Sequence, residues 1–198
     1  MLSLYSFFVA FLLVFFSELG DKTQLIVLSF STKLKASTIL FGVALGSLFS
    51  HGIAILFGSF LGNLENNNIH FILEFITYSS FILLGLLSFI PSKSQDSEDN
   101  NFVSKFSKFK LNYIFIIAMA IAFGEIGDKT FLASIGLGIN YPQNKLLLVL
   151  GAILGMIASD LIAIFTGKFL SKKIPEKAIT IFSGILFIIF GIIGFFSL

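Results

Sequence analysis

Two copies of one acidic hexapeptide stand out from an otherwise apolar chain. Glu18-Leu-Gly-Asp-Lys-Thr23 recurs 107 positions later as Glu125-Ile-Gly-Asp-Lys-Thr130. Each copy lies in a run of apolar residues long enough to cross a bilayer, where a charged residue costs about 2.5 to 3.5 kcal/mol at the centre. Four acids at that depth need a compensating partner. At about 100° per residue, Glu18 and Asp21 fall on one face of a continuous helix with Lys22 on its flank, which predicts a single polar stripe in each copy. Gly20 and Gly127 sit between the acids, where the missing side chain lets a facing helix or a partly dehydrated ion come close.

Two such stripes, brought face to face, make a cage of four carboxylates: Glu18, Asp21, Glu125 and Asp128. The hydroxyls of Thr23 and Thr130, the Gln24 side chain and backbone carbonyls supply further oxygens. Hard divalent cations take such cages, with roughly six ligands near 2.1 Å for manganese or magnesium and six to eight at about 2.3 to 2.6 Å for calcium. Four carboxylates with Lys22 and Lys129 carry a net charge of −2. One divalent ion neutralises that charge, and so do two protons, so exchange of metal for protons follows from electrostatics. The ion is then cargo, and no tightly bound cofactor is expected. Other functions fit less well. If the acids only paired with Lys22 and Lys129 in a structural or assembly protein, a symmetric excess of acid at the midplane would be a costly device. A small-solute exporter has less use for four clustered acids. An intramembrane aspartyl protease would need Gly-x-Gly-Asp and Tyr-Asp motifs that are absent, and no Ser-His-Asp arrangement or phosphate loop points to another enzyme.

The elements that position these residues follow from composition. The chain is 56% hydrophobic and 12% charged, with 27 Phe and a mean hydropathy of +0.98, which makes lipid its solvent. The net charge of +2, carried entirely on Lys without Arg, gives no basis for a nucleic-acid partner. With no Cys, a metal must be held by oxygen or by the two His. Six stretches approach the roughly 20 apolar residues a membrane helix needs: 2–30, 38–62, 70–90, 112–136, 146–168 and 178–198. The first is read as a retained helix rather than a signal peptide, because no Lys or Arg precedes it. The one long connection, Pro91 to Lys110, ends in a segment with Phe102, Phe106 and Phe109 on one helical face and Lys105, Lys108 and Lys110 beside it. It is either a surface helix or a disordered linker.

The chain is also duplicated. Gly42, Gly46, Ser50, His51 and Gly58 match Gly151, Gly155, Ser159, Asp160 and Gly167 at an offset of 109. Three spans per half is an odd number, so the halves enter the membrane from opposite sides. The expected fold is an all-α integral membrane protein of six transmembrane helices in two inverted-topology repeats. It forms a single transporter domain, 1–198, with repeat one at 1–90, a cytoplasmic linker at 91–110 and repeat two at 111–198. Ten of the 13 Lys fall in the first, third and fifth loops and only Lys145 in the others, which places both termini on the non-cytoplasmic side. His51 and Asp160 are candidates for proton carriers or for partners of the metal site. His70 and Glu74, four apart at the outer end of the third span, read as a solvated pair.

Twin motifs of the form E-x-G-D-[KR]-[ST], each in the first helix of a three-helix half, resemble the signature of the Golgi, plastid and bacterial manganese and calcium transporter family. The resemblance covers essentially the whole chain. It implies exchange of manganese or calcium for protons, with Glu18, Asp21, Glu125 and Asp128 as the ion site and Lys22, Thr23, Lys129 and Thr130 completing the motifs. Export from the cytoplasm across a plasma membrane, or across a thylakoid-type membrane, is the expected setting. The oligomeric state and the choice between the two metals are left open.

Overall fold

A computed structural model describes residues 2–19, 21–31, 34–64, 67–89, 112–166 and 176–196, and the expected linker at 91–110 lies outside them. All regular structure among these residues is helical: α1 (Leu2–Glu18), α2 (Lys22–Ser31), α3 (Ala36–Gly62), α4 (Asn67–Leu87), α5 (Tyr113–Glu125), α6 (Lys129–Asn140), a 3-10 turn (Pro142–Asn144), α7 (Lys145–Thr166) and α8 (Glu176–Phe195). Two helices, Ala36–Gly62 and Pro142–Phe165, are long and apolar enough to cross a membrane. The apolar stretches Leu4–Glu18, Phe71–Leu87, Tyr113–Glu125 and Gly184–Phe195 are shorter. The six apolar runs of the sequence coincide with helical regions to within a few residues at the described ends. The first and the fourth are not single helices, however. Each is interrupted at its acidic motif, so the polar stripe expected on one continuous helix face does not exist.

Side chains are distributed inside out relative to a water-soluble protein. Along α3, Phe41, Leu45, Leu48, Phe49, Ile53 and Leu56 are exposed while Gly42, Gly46, Ser50 and His51 are buried. Ser17, Glu18, Thr23, Gln24, Glu125, Thr130, Ser134, Ser159 and Asp160 are buried as well. An exterior of large apolar side chains around a polar interior is stable where the surrounding solvent is lipid.

Helices of one half pack on helices of the other, and small residues set the contact. A Cβ at Gly46 of α3 would lie 2.7 Å from the Ala118 carbonyl of α5, and one at Gly155 of α7 would lie 2.6 Å from the Phe11 carbonyl of α1. Gly42 likewise meets Ile114 and Ile117, and Gly151 meets Phe7 and Ala10. Each contact becomes the other when the 107 and 109 offsets are applied, so the two repeats exchange roles across their interface. Register gives direction. Gly42, Gly46, Gly58 and Gly62 meet Ile117, Ile121, Ile135 and Ile139 in ascending order, so α3 runs parallel to α5 and α6. Gly191 and Gly194 of α8 instead meet Ile82 and Tyr78 of α4, in antiparallel order to the mutual contact of Gly184 and Gly85. Val14, Ile26, Val43, Ile117, Ile121, Leu148 and Met156 fill the buried apolar core between the repeats.

Three contacts collect the same ends of the helices together. Gln143 Nε2 donates to Asn63 Oδ1 at 3.0 Å, joining the turn before α7 to the end of α3. The rings of Tyr5, near the start of α1, and Tyr141 meet edge to face at 6.2 Å, and Phe195 at the end of α8 meets Phe75 of α4 at 5.3 Å.

Candidate metal centre

The interruption of each acidic helix is a β-turn written into the motif. The Asp128 amide donates to the Glu125 carbonyl at 3.1 Å, with Ile126 at φ −63° and ψ 119° and Gly127 at φ +86°. These are the dihedrals of a type II turn, whose third position takes a positive φ that glycine adopts without strain. In the first copy the Asp21 amide makes the same bond to the Glu18 carbonyl, also at 3.1 Å. The sequence signal was present: Gly before Asp, with Asp at the N-cap of the run that follows, is turn and helix-start chemistry. Apolar periodicity on both sides concealed it. Glu18 and Glu125 therefore end one half-helix each, and Lys22 and Lys129 open the next.

From the first turn of the helix that follows each break, a threonine holds the glutamate. Thr130 Oγ1 donates to Glu125 Oε2 at 3.0 Å, and Thr23 Oγ1 donates to Glu18 Oε2 at 3.3 Å. Both motif threonines, counted in the sequence as available oxygens and as outer partners of the site, donate to its carboxylates. The other oxygens, Glu18 Oε1 and Glu125 Oε1, are buried and find no hydrogen-bond donor among the described residues. Asp128 Oδ2 is in the same condition. Asp128 is also the N-cap of α6, yet its side chain makes no capping bond, although such a bond is ordinarily worth about 1 kcal/mol. Its carboxylate is directed elsewhere.

The breaks bring the two motifs together. Ligand atoms of Glu18, Asp21 and Asp128 lie within 4.8 Å of one another, and so do those of Glu18, His51 and Glu125. Glu18 belongs to both triads. Acids of the first motif thus stand within 4.8 Å of acids of the second. The triads differ in setting. Asp21 and Asp128 are partly exposed, whereas Glu18 is 1% exposed and Glu125 and His51 are 0% exposed. Lys129 Nζ stands 3.9 Å from Asp21 Oδ1, so the lysine of one motif pairs with the acid of the other rather than with an acid of its own helix.

His51 and Asp160, matched in sequence, are not matched in surroundings. His51 Nδ1 is hydrogen-bonded to Ser134 Oγ at 3.0 Å, while Nε2 has no partner among the described residues. Asp160 is buried, and among the described residues its Oδ2 has no partner and it joins neither triad. Its neighbour Ser159 accepts a hydrogen bond from Gln24 Nε2 at 2.6 Å, which ties α2 to α7 beside the first motif. Gln24 was expected to offer an oxygen to the ion, and it also serves as this tie. Ser134 escaped notice in the sequence, where one serine in an apolar helix carries no signal. The side chain of His70, expected to pair with Glu74, is not among those described.

The chain is 29% identical over 204 residues to Protein PAM71, chloroplastic, of Arabidopsis thaliana, covering 92% of this chain and 54% of that protein. The chain thus spans about half the length of that relative. It is 28% identical over 160 residues to a candidate manganese exporter of Vibrio cholerae, covering 80% of this chain and 74% of that protein. A GDT1-like protein of Synechocystis is 27% identical over 202 residues, with 97% of both chains covered. No solved structure matches the chain. The family model described as divalent cation/proton antiporter GDT1 matches residues 6–96 and 113–197, and the chain belongs to that family.

Proposed function

We propose that the protein exports a divalent cation, manganese or calcium, from the cytoplasm in exchange for protons. The observation that carries this reading is the convergence of Glu18, Asp21, Glu125 and Asp128 from opposite repeats, where Glu18, Glu125 and Asp128 each present a buried oxygen that no described residue satisfies. A cluster of four carboxylates repels itself in a low-dielectric interior. Either one divalent ion or two protons relieve the repulsion left after the lysines are counted, so the two cargoes compete for one site and movement of one drives the other. The transporter reading leaves no enzymatic role for the acids.

A single six-helix domain, with spans formed by α1 with α2, α3, α4, α5 with α6, α7, and α8, fits this function. Repeat one occupies 1–90, the linker 91–110 and repeat two 111–198. The short connection from α2 to α3 makes those spans antiparallel, and α3 runs parallel to α5 and α6; the two motif-bearing spans then oppose one another, as an inverted repeat requires. Half-helix ends at the motif add oriented dipoles at the site, another feature of such folds. The lysine-rich loops lie on the cytoplasmic side of a plasma or thylakoid-type membrane, with both termini on the other.

Flux into proteoliposomes tests the reading. Mn2+ or Ca2+ should accumulate when an outward-directed proton gradient is imposed, and Asp21→Asn should abolish accumulation. Metal flux indifferent to the gradient would identify a channel instead, and no flux of either ion would reject transport altogether.

A further inference from the structure

We propose that His51 completes a second ion position with Glu18 and Glu125, a mixed nitrogen and oxygen site that prefers transition-series divalent cations such as manganese to calcium. The proposal rests on the reading of the protein as a divalent-cation carrier and specifies its substrate class.

The two triads share Glu18 but are chemically different. Glu18, Asp21 and Asp128 offer only carboxylate oxygen, and the two aspartates are partly exposed. Glu18, His51 and Glu125 are sealed from solvent and include an imidazole. Ser134 holds Nδ1, which sets the ring's orientation and leaves Nε2 as the nitrogen available to an ion. Outer hydrogen bonds of this kind are what orient metal-ligating histidines. Thr23 and Thr130 play the same part for the glutamates, each holding Oε2 and leaving Oε1 free. Three buried atoms, Glu18 Oε1, Glu125 Oε1 and His51 Nε2, thus lack a partner among the described residues, and the residues that carry them form one cluster.

Donor type then sorts the ions. Calcium and magnesium take oxygen ligands, and manganese, although the most oxygen-seeking of the first-row transition ions, loses less than calcium does when one ligand is an imidazole nitrogen. An ion meets the oxygen-only triad first, because that triad is the one reached by solvent. It advances to the inner triad by exchanging the aspartates for Glu125 and His51 while Glu18 stays bound. Calcium would occupy the outer position and gain little from the inner one.

Pulsed electron paramagnetic resonance of bound Mn2+ tests this directly on the full chain in lipid nanodiscs. Mn2+ bound to protein made with 15N-histidine should show a 15N coupling typical of a directly bonded imidazole. His51 and His70 are the two histidines present. The signal should survive in His70→Gln and vanish in His51→Gln. The Mn2+ over Ca2+ binding ratio should fall by at least about tenfold in His51→Gln, the smaller loss seen when a metal ligand is perturbed only indirectly. Should His51→Gln fail to fold, the labelled His70→Gln protein decides alone. Mn2+ that binds in a Glu18-dependent way without 15N coupling would overturn the histidine site and leave the carrier reading intact. A protein that neither binds nor transports any divalent ion would overturn both.

Discussion

At the scale of single residues, the centre is built from side chains that forgo ordinary bonds. Asp128 occupies an N-cap without capping, and Glu18 and Glu125 each commit one oxygen to a threonine and leave the other unpaired among the described residues. Buried polar atoms are normally satisfied, and leaving one unpaired costs about 1 to 3 kcal/mol, so such atoms in a native site call for a ligand. A dissociation between stability and function follows. Asp128→Asn removes charge but no capping bond, so its thermal unfolding in detergent should match wild type or improve, while gradient-driven metal uptake should be lost. Thr130→Val should act differently. It deletes the donor to Glu125 Oε2, destabilises the fold by about 1 kcal/mol, and weakens metal binding by freeing the carboxylate to rotate. Thr130→Ser, which keeps the hydroxyl, should restore most of both. Equal binding in the valine and serine variants, measured by titration calorimetry, would show that the hydroxyl does not position Glu125.

At the scale of elements, the turn inside each motif decides where the acids point. Had α5 and α6 formed one helix, Glu125 and Asp128 would follow its surface and the carbonyls between them would be bonded internally. Gly127 at φ +86° makes the turn possible, and a Cβ there meets nothing within 4 Å. Gly127→Ala is therefore a test of conformation without a test of space. It should cost about 1 to 2 kcal/mol, the penalty of a side chain in the left-handed region, and should lower metal affinity as the turn relaxes toward helix. The interface glycines are the opposite case. Gly46→Leu drives a side chain into the Ala118 carbonyl and Ile121 and should lower the unfolding temperature severely through overpacking. Much of this was legible in the sequence. Apolar run length located the helices, and the 107 offset picked out the two acidic segments at which the first and fourth runs break. What the sequence hid was the break, because 3.6-residue periodicity on either side of Glu125-Ile-Gly-Asp reads as continuous helix. Also hidden was the bond from Ser134 to His51, which joins α6 to α3 across 83 positions and depends on helix register alone.

At the scale of the whole molecule, the same ends of several helices are gathered by contacts that sequence periodicity cannot foresee. Gln143 bonds Asn63, Tyr5 meets Tyr141, and Phe195 meets Phe75, so the start of α1, the ends of α3 and α8, and the turn before α7 share one side of the protein. That side is poor in lysine, with Lys145 its nearest, while ten lysines lie in the first, third and fifth loops. The contacts say which ends belong together, and because positive charge in short loops is retained in the cytoplasm, the lysines make the proposal that these ends face outward. The absence of cysteine makes the orientation directly measurable, since any introduced thiol is the only one. In intact cells, Gln143→Cys should react with a membrane-impermeant maleimide, because Gln143 is exposed in the turn before α7. Ser94→Cys in the central linker should react only after the membrane is opened. The reverse pattern would invert the protein in its membrane and turn the proposed exporter into an importer under the same proton gradient; labelling of both positions from outside would break the six-span topology itself.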